Sequence, residues 1–131
     1  MNALIVLPGD PRTKKNSPMI VRHGVIPSKA YREYRDSVWP YLLHAKVALA
    51  LDKPIDAPLN VKCLYYMRTR RKCDLTNLME ATDDLLVGAG ILADDNHRII
   101  VSHDGSRVLY DKENPRCEVW ITSAESAEAD Q

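Results

Sequence analysis

Residues 73–96 read CDLTNLMEATDDLLVGAGILADDN, and this stretch decides most of the expected fold. At about 100° per residue, one arc of roughly 120° collects the side chains suited to a core, which are Leu75, Leu78, Met79, Thr82, Leu85 and Leu86. The opposing arc collects polar side chains, which are Asp74, Asn77, Glu80 and Asp84. We therefore predict an amphipathic helix over residues 75–87, with Asp74 as its N-cap and with Gly88 and Gly90 ending it.

An earlier helix is predicted from the tyrosine-rich segment that follows Ser28. Ser28 is a suitable N-cap, and apolar side chains recur at helical spacing from Tyr31 to Ala45. Pro40 lacks a backbone N–H group, so we expect it to kink or divide this helix near Val38.

Short apolar runs bounded by turn-forming residues predict the strands. These runs are residues 3–7, 19–22, 59–67, 98–101 and 117–121, and Gly24 is expected in a turn. After the fourth run, Asp104-Gly105 favours a hairpin, but the strand could instead continue through Leu109 with a bulge. The resulting order, β-β-α-β-α-β-β, predicts a small α/β (α+β) domain, with a mixed sheet and two main helices packed on one face.

The composition is that of a soluble globular protein, with 131 residues, 45% of them hydrophobic and 27% charged. We expect one domain over residues 1–123 and an acidic, disordered tail over residues 124–131. No apolar run is long enough to span a bilayer, and residues 1–7 lack the features of a signal peptide. A cytoplasmic location without a membrane partner is therefore expected. The three cysteines match neither a disulfide framework nor a zinc site, so reduced, mostly buried thiols are expected.

Charge is unevenly distributed, although the formal net charge is zero. All the charged residues of the tail, residues 124–131, are acidic. The rest of the chain, residues 1–123, therefore has 18 basic and 15 acidic residues. Four of the five residues 68–72 are basic, and the acids of residues 74–95 follow without an intervening lysine or arginine. This pattern suits an enzyme that holds a polyanion while gathering carboxylates around a metal. The alternative is a solvated basic loop followed by a helix with an acidic face.

The acids of residues 74–95 are candidate metal ligands. Carboxylates packed together raise one another's pKa unless a cation lies among them. Mg²⁺ prefers oxygen ligands and keeps several waters, so two or three carboxylates suffice. Such ions can activate water and stabilise the departing oxygen in phosphodiester hydrolysis. The alternative is a solvated acidic helix followed by a plain turn at residues 94–96.

Three motifs of this sequence resemble those of a known family. They are D-L-x-N at residues 74–77 with an acid at Asp84, G-x-G-x-x-x-D-D at residues 88–95, and the opening loop G-D-P-R-T-K-K-N-S at residues 9–17. Together they resemble the RusA-type Holliday-junction resolvases, small magnesium-dependent endonucleases of bacteria and their phages.

The resemblance implies roles for five residues. Asp74 matches the family's first catalytic aspartate and Asp95 matches its last, and both are metal ligands in that family. Asp94 and Asp84 match its accompanying acids, and Asn77 matches its motif asparagine.

Two positions depart from the family's best-known form, which is D-x-D-N followed three residues later by lysine. Thr76 stands where that form has its second aspartate, and Glu80 stands in place of the lysine. We expect Glu80 to supply the missing carboxylate, as both a metal ligand and a catalytic residue. A basic side chain from Lys14, Lys15 or Arg71 would then take over the cationic role.

The resemblance further implies the cofactor and the partners. We expect Mg²⁺, or Mn²⁺ in its place, with a four-way DNA junction as the substrate in recombination and repair, and a homodimer, because symmetric cutting of two strands requires two sites. The DNA-binding residues are expected to be Lys14, Lys15, Asn16, Arg68, Arg70, Arg71, Lys72 and Asn77. The opening loop lacks a Walker A pattern, so no nucleotide cofactor is expected.

Two other functions remain open from the sequence. One is a non-catalytic module that binds DNA junctions or single strands with the same fold, having lost its chemistry with Thr76. The other is an enzyme that cuts a different phosphodiester substrate, such as DNA flaps or RNA.

Overall fold

The computed structural model describes residues 1–14, 19–22 and 24–125, and these form seven strands and two helices. In chain order, the elements are β1 (Asn2–Pro8), β2 (Met19–Val21), β3 (Gly24–Ile26), α1 (Lys29–Ala48), β4 (Leu59–Met67), α2 (Leu75–Gly88), β5 (Ile100–Ser102), β6 (Arg107–Tyr110) and β7 (Arg116–Ser123). Most of the predicted acidic tail, from residue 126 onward, lies outside the described residues.

Five strands form one mixed sheet, while β2 and β3 form a separate antiparallel pair. Strand β7 lies between β1 and β4 and is antiparallel to both, so that Val119 faces Ile5 on one side and Cys63 on the other. Strands β5 and β6 both run parallel to β4 along its remaining edge. The mixed sheet predicted from the sequence is therefore confirmed.

Alternating burial along β1, β4 and β7 places the core on one face of the sheet. Ile5, Val61 and Val119 are buried there against residues of both helices, including Leu42 of α1 and Leu86 of α2. These two helices therefore pack on the same face, as predicted. On the opposite face, the side chains at alternate positions of β1 remain largely in solvent.

Helix α1 begins at its predicted N-cap and then runs without a break. The hydroxyl of Ser28 accepts a hydrogen bond from the backbone N–H of Tyr31 at 3.1 Å. Pro40 lies inside the helix, which continues to Ala48, so the prediction that Pro40 divides it was wrong. Pro40 and Asp36 are both exposed, so water can satisfy the Asp36 carbonyl that has no partner at Pro40.

Helix α2 begins after its predicted N-cap, Asp74, and ends one residue later than expected, at Gly88. Gly90 then has a φ of +77°, in the left-handed region that favours glycine, and a Cβ there would lie 2.8 Å from Nζ of Lys46. The core arc is confirmed at Leu78, Thr82, Leu85 and Leu86, which are buried.

The strand predictions need two corrections. Gly24 begins strand β3 instead of occupying a turn, which adds one strand to the predicted order. Asp104-Gly105 does not join a hairpin, because β5 and β6 both run parallel to β4, β5 along its start and β6 along its end. The chain leaves the edge of β4 at Asp104 and returns to the same edge at β6. At the point of departure, the backbone N–H of Asp104 donates to Oδ1 of Asn60 at 2.8 Å. The alternative of one interrupted strand through Leu109 was closer to the structure.

The sequence also predicted that no segment spans a membrane and that the thiols are mostly buried. Over the described part of the chain, neither helix combines the length and apolarity needed to cross a bilayer. All three cysteines are free, and Cys63 and Cys117 are buried while Cys73 is exposed. The prediction that the thiols are mostly buried is therefore confirmed.

Candidate active site

The N-terminus of α2 holds a carboxylate at the surface. Asp74 is exposed, and its Oδ1 accepts a hydrogen bond from the backbone N–H of Asn77 at 3.3 Å. The first N–H groups of a helix lack helical acceptors, so this end of a helix favours negative charge. The helix therefore fixes an accessible carboxylate at a defined position.

A depression beside Asp74 combines cationic and hydrogen-bonding side chains. Its lining consists of Thr13, Arg71, Lys72, Cys73, Asp74 and Asn77. An adjoining depression shares Arg71 and Lys72 and adds Arg12 and Arg68. The structure therefore brings four predicted DNA-binding residues together around Asp74, namely Arg68, Arg71, Lys72 and Asn77.

Arg70 occupies a different position from the rest of the basic loop. It lines neither depression, and its guanidinium carbon lies 4.1 Å from the ring centroid of Tyr110 on β6. At this distance the cation and the aromatic face attract one another. Arg70 therefore extends the basic surface toward β6 and away from Asp74.

The opening loop is tied to the basic loop. Oδ1 of Asp10 accepts a hydrogen bond from the backbone N–H of Arg68 at 2.9 Å, and Arg12 lies 3.5 Å from the other oxygen of Asp10. Thr13 is buried, and its hydroxyl has no hydrogen-bond partner among the described residues. The predicted DNA-binding residues Lys15 and Asn16 lie outside the described residues.

Two acids follow α2 in the loop before β5. Asp94 accepts hydrogen bonds from the backbone N–H of Asp95 at 2.7 Å and from the side-chain amide of Asn96 at 3.1 Å, and these bonds lower its pKa. The pKa of Asp95 is raised, first by partial desolvation and then by the neighbouring Asp94 and Asp84. Asp95 therefore lies within electrostatic range of the acidic face of α2.

Lys14 forms an ion pair with that face. Its Nζ lies 2.6 Å from Oδ2 of Asp84, and the two side chains are 39% and 36% exposed. The same Nζ lies 5.9 Å from the ring centroid of Tyr31 on α1. Burial, and then the charge of Asp84, raise the pKa of Tyr31 to about 12, so the phenol is neutral beside the ammonium. Lys14 therefore joins the opening loop to both helices.

A comparison with protein families identifies a match over most of the chain. The model described as Endodeoxyribonuclease RusA matches residues 8–122, which is most of the chain. The chain belongs to the RusA family. A comparison with curated proteins found no match.

Membership of the RusA family confirms the resemblance that the motifs predicted. It indicates an endodeoxyribonuclease of the Holliday-junction resolvase type, a hydrolase of recombination whose substrate is branched DNA. The cationic depressions beside Asp74 agree with this, because contacts to phosphates dominate the affinity of proteins for DNA.

The candidate ligands of this chain have the donor chemistry that a hard divalent cation prefers, but they do not form a closed site. Within the described ranges, no group of three or more histidine, cysteine, aspartate or glutamate side chains is arranged to hold a metal ion. The candidate ligands Asp84 and Asp95 nevertheless offer carboxylate oxygens, the donors that a hard divalent cation prefers. Mg²⁺ tolerates such a partial set because it keeps several waters.

The two departures from the family pattern both lie on the exposed side of α2. Thr76 and Glu80 are exposed, and Glu80 lies one helical turn before Asp84. The roles predicted for Glu80, as metal ligand and as catalytic residue, stay predictions. Lys14 and Arg71, the described candidates for the cationic role, lie beside Asp84 and Asp74 respectively.

Sequence reasoning missed a partly buried ion pair behind the acidic face. Nε2 of His103 lies 2.9 Å from Oδ2 of Asp83, and Nδ1 lies 2.8 Å from the carbonyl oxygen of Val61. Both nitrogens thus face acceptors, which only the doubly protonated imidazolium can satisfy by donating twice. The hydrogen bond to Asp83 accordingly raises the pKa of His103 to about 9, against the opposing effect of burial. One feature of the sequence could have indicated this pair: Asp83 directly follows Thr82 of the core arc, so its carboxylate would need a partner inside the fold.

Proposed function

We propose that this protein is a Mg²⁺-dependent, structure-selective endonuclease that resolves four-way DNA junctions in recombination and repair. It acts as a homodimer in the cytoplasm, and Mn²⁺ can replace Mg²⁺. The resemblance to resolvases of bacteria and their phages favours an origin in a phage or prophage. Its candidate metal ligands are Asp74, Asp95, Glu80 and Asp84, and its candidate catalytic residues are Asp74, Asp95, Glu80 and Asp94.

One observation carries this proposal. The accessible carboxylate of Asp74 shares a depression with Arg71 and Lys72, in a chain that belongs to the RusA family. Anionic DNA would not approach the acids of α2 without such cations, and cations alone would bind DNA without cutting it. The juxtaposition of both charges is what phosphodiester hydrolysis at a divalent metal requires.

The protein's own residues would position the DNA. Arg71 and Lys72 would hold phosphates beside Asp74, and Arg68 would extend this contact along the backbone. Asn77, in the same depression, offers an amide that can donate to a phosphate oxygen. When bound, the divalent cation would supply water activation and stabilisation of the leaving oxygen.

The proposal is tested with a labelled four-way junction and a linear duplex of matched sequence. Cleavage is measured with Mg²⁺, with Mn²⁺ and with EDTA, for the wild type, Asp74→Asn and Asp52→Asn. The control residue Asp52 is exposed and lies after α1. We expect paired symmetric cuts in the junction only, which require metal, are lost in Asp74→Asn and persist in Asp52→Asn. Cutting of the duplex, or of flaps or RNA in preference to the junction, would contradict the stated substrate.

A non-catalytic junction-binding module is the second candidate function. Two observations favour it: Thr76 replaces a carboxylate of the family pattern, and the described residues hold no group of three or more ligands arranged around a metal position. It predicts tight, salt-sensitive junction binding without cleavage in either metal. The same assay therefore separates the two candidates.

The homodimer is tested separately by sedimentation equilibrium. A mass near twice the 14.8 kDa of the chain is expected, with or without junction. Symmetric cutting needs two sites related by a two-fold axis, so a monomer at all concentrations, together with uncoupled single cuts, would contradict the dimer.

A further inference from the structure

The depression that adjoins the one beside Asp74 is strongly cationic. Its volume is about 200 Å³, several times the roughly 30 Å³ that one water molecule occupies in the liquid. The basic residues that line it are Arg12, Arg68, Arg71 and Lys72. This depression therefore has both the room and the positive charge to hold a phosphate group.

The groups that could repel a phosphate there are engaged or neutral. Asp10, an acid of the lining, accepts a hydrogen bond from the backbone N–H of Arg68 at 2.9 Å and lies 3.5 Å from Arg12. The thiol of Cys73 also lines the depression, and partial desolvation, followed by the charges of Asp10 and Asp74, raises its pKa. The thiol therefore stays protonated at neutral pH and adds no negative charge.

Thr13 lies where the two depressions meet. It lines both of them although it is only 4% exposed, which places it at their floor. Its hydroxyl has no hydrogen-bond partner within the described part of the chain. Because buried hydroxyl groups in folded proteins nearly always have a partner, this one indicates a donor that is satisfied when a ligand is bound.

We infer that the adjoining depression is a phosphate subsite, in which the Thr13 hydroxyl donates a hydrogen bond to a phosphate oxygen of the DNA backbone and Arg12 contacts the same phosphate. This inference rests on the proposed function. Neither Thr13 nor Arg12 belongs to the DNA-binding set predicted from the sequence. Arg71 and Lys72, which line both depressions, would then contact this phosphate and the one beside Asp74. A neutral donor such as Thr13 fixes the position of the backbone, whereas the cations supply most of the attraction.

The test compares junction binding with the stability of the fold. Binding of a labelled four-way junction is followed by fluorescence anisotropy in EDTA over a range of salt concentrations, since the contact requires no metal, and stability is followed by urea unfolding. The variants are Thr13→Val, Thr13→Ser and Arg12→Gln. Lys53→Gln makes the same change in net charge as Arg12→Gln, at an exposed position after α1, and controls for long-range electrostatics.

The subsite predicts that Thr13→Val separates binding from stability. Valine keeps the shape of threonine and removes a buried hydroxyl that has no partner, so the urea midpoint should stay equal to that of the wild type or rise. Junction binding should weaken roughly tenfold, because a hydrogen bond to a charged group is lost, with an unchanged slope of log affinity against log salt. Thr13→Ser should bind like the wild type. Arg12→Gln should reduce the salt slope by about 1, and Lys53→Gln should reduce it by less.

Three results would overturn the inference. Junction binding by Thr13→Val equal to that of the wild type would mean that the hydroxyl faces no phosphate and is satisfied by water. A lower urea midpoint together with weaker binding in Thr13→Val would mean that the hydroxyl supports the loop and acts on DNA only through the fold. Salt slopes that are equal in Arg12→Gln and Lys53→Gln would mean that Arg12 contacts no phosphate. A wild type that cuts junctions while giving any of these results leaves the proposed function intact, whereas a wild type that neither binds nor cuts refutes the proposed function itself.

Discussion

The partly buried ion pair of His103 and Asp83 predicts how the stability of the fold depends on pH. Asp83 lies in the core-facing part of α2 and is 9% exposed, and its second oxygen has no partner among the described residues. His103, just after β5, donates to Asp83 and to the carbonyl oxygen of Val61 on β4. The imidazolium therefore connects α2 to the sheet, and its deprotonation would leave a buried carboxylate without its counter-ion.

The magnitude follows from the pKa of His103. Its rise from 6.5 to about 9 in the folded protein corresponds to an upper limit of about 3 kcal/mol, at roughly 1.4 kcal/mol per pKa unit. Because the folded pKa is the higher one, this contribution is complete below pH 6.5 and is lost as the pH rises through 9. Total stabilities of such domains are about 5–15 kcal/mol, so the loss is large enough to measure.

Urea unfolding between pH 6 and pH 10 tests this. We expect the free energy of unfolding of the wild type to fall by about 2–3 kcal/mol across this range because of His103 alone. His103→Gln should be less stable at pH 6 and should lack this part of the dependence. His44→Gln, at an exposed position on α1, should retain it. If the wild type and His103→Gln show the same dependence on pH, the imidazolium does not stabilise the fold as argued.

Three further predictions concern the N-cap of α2, the carboxylate that Thr76 replaces and the hydrophobic core. Asp74→Ala should cost about 1 kcal/mol in thermal unfolding because it removes the N-cap of α2, whereas Asp74→Ser should keep the cap, and both should abolish junction cleavage under the proposed function. Thr76→Asp should tighten Mn²⁺ binding by roughly tenfold in a calorimetric titration, because it adds a carboxylate to the exposed face of α2. Leu86→Ala, at a fully buried site, should cost about 3 kcal/mol in urea unfolding, while Val47→Ala, at a site 78% exposed, should stay within about 0.5 kcal/mol of the wild type.

The parts of the fold set by local spacing were predictable. Helix α2 was predicted to within one residue, because a helical period, an N-cap at Asp74 and a glycine turn all act within a few residues of one another. The same holds for Ser28 at the start of α1. Pro40 misled the prediction because the energy lost at one exposed turn is small compared with the burial of the residues on either side of it.

The parts set by contacts between distant segments were not predictable. Asp104-Gly105 carries a genuine turn signal, but whether the next segment turns back or resumes along β4 depends on the free edge that β4 offers. His103 was recognisable only as a lone histidine, because its partner Asp83 belongs to a helix twenty residues earlier. The separation of His103 and Asp83 along the sequence does not show how close their side chains lie in the folded protein.

The charge balance of the candidate site has the same tertiary origin. The acids of α2 were evident from one helical arc, but their counter-charges come from the opening loop through Lys14 and from the basic loop through Arg71 and Lys72. Asp10, which accepts from the backbone of Arg68, ties these two loops together. The cations beside Asp74, which are Arg71 and Lys72, and the cation beside Asp84, which is Lys14, therefore depend on the same contact between the opening loop and the basic loop. A change that undocks the opening loop should weaken DNA binding at both carboxylates, even where it leaves α2 and its acids in place.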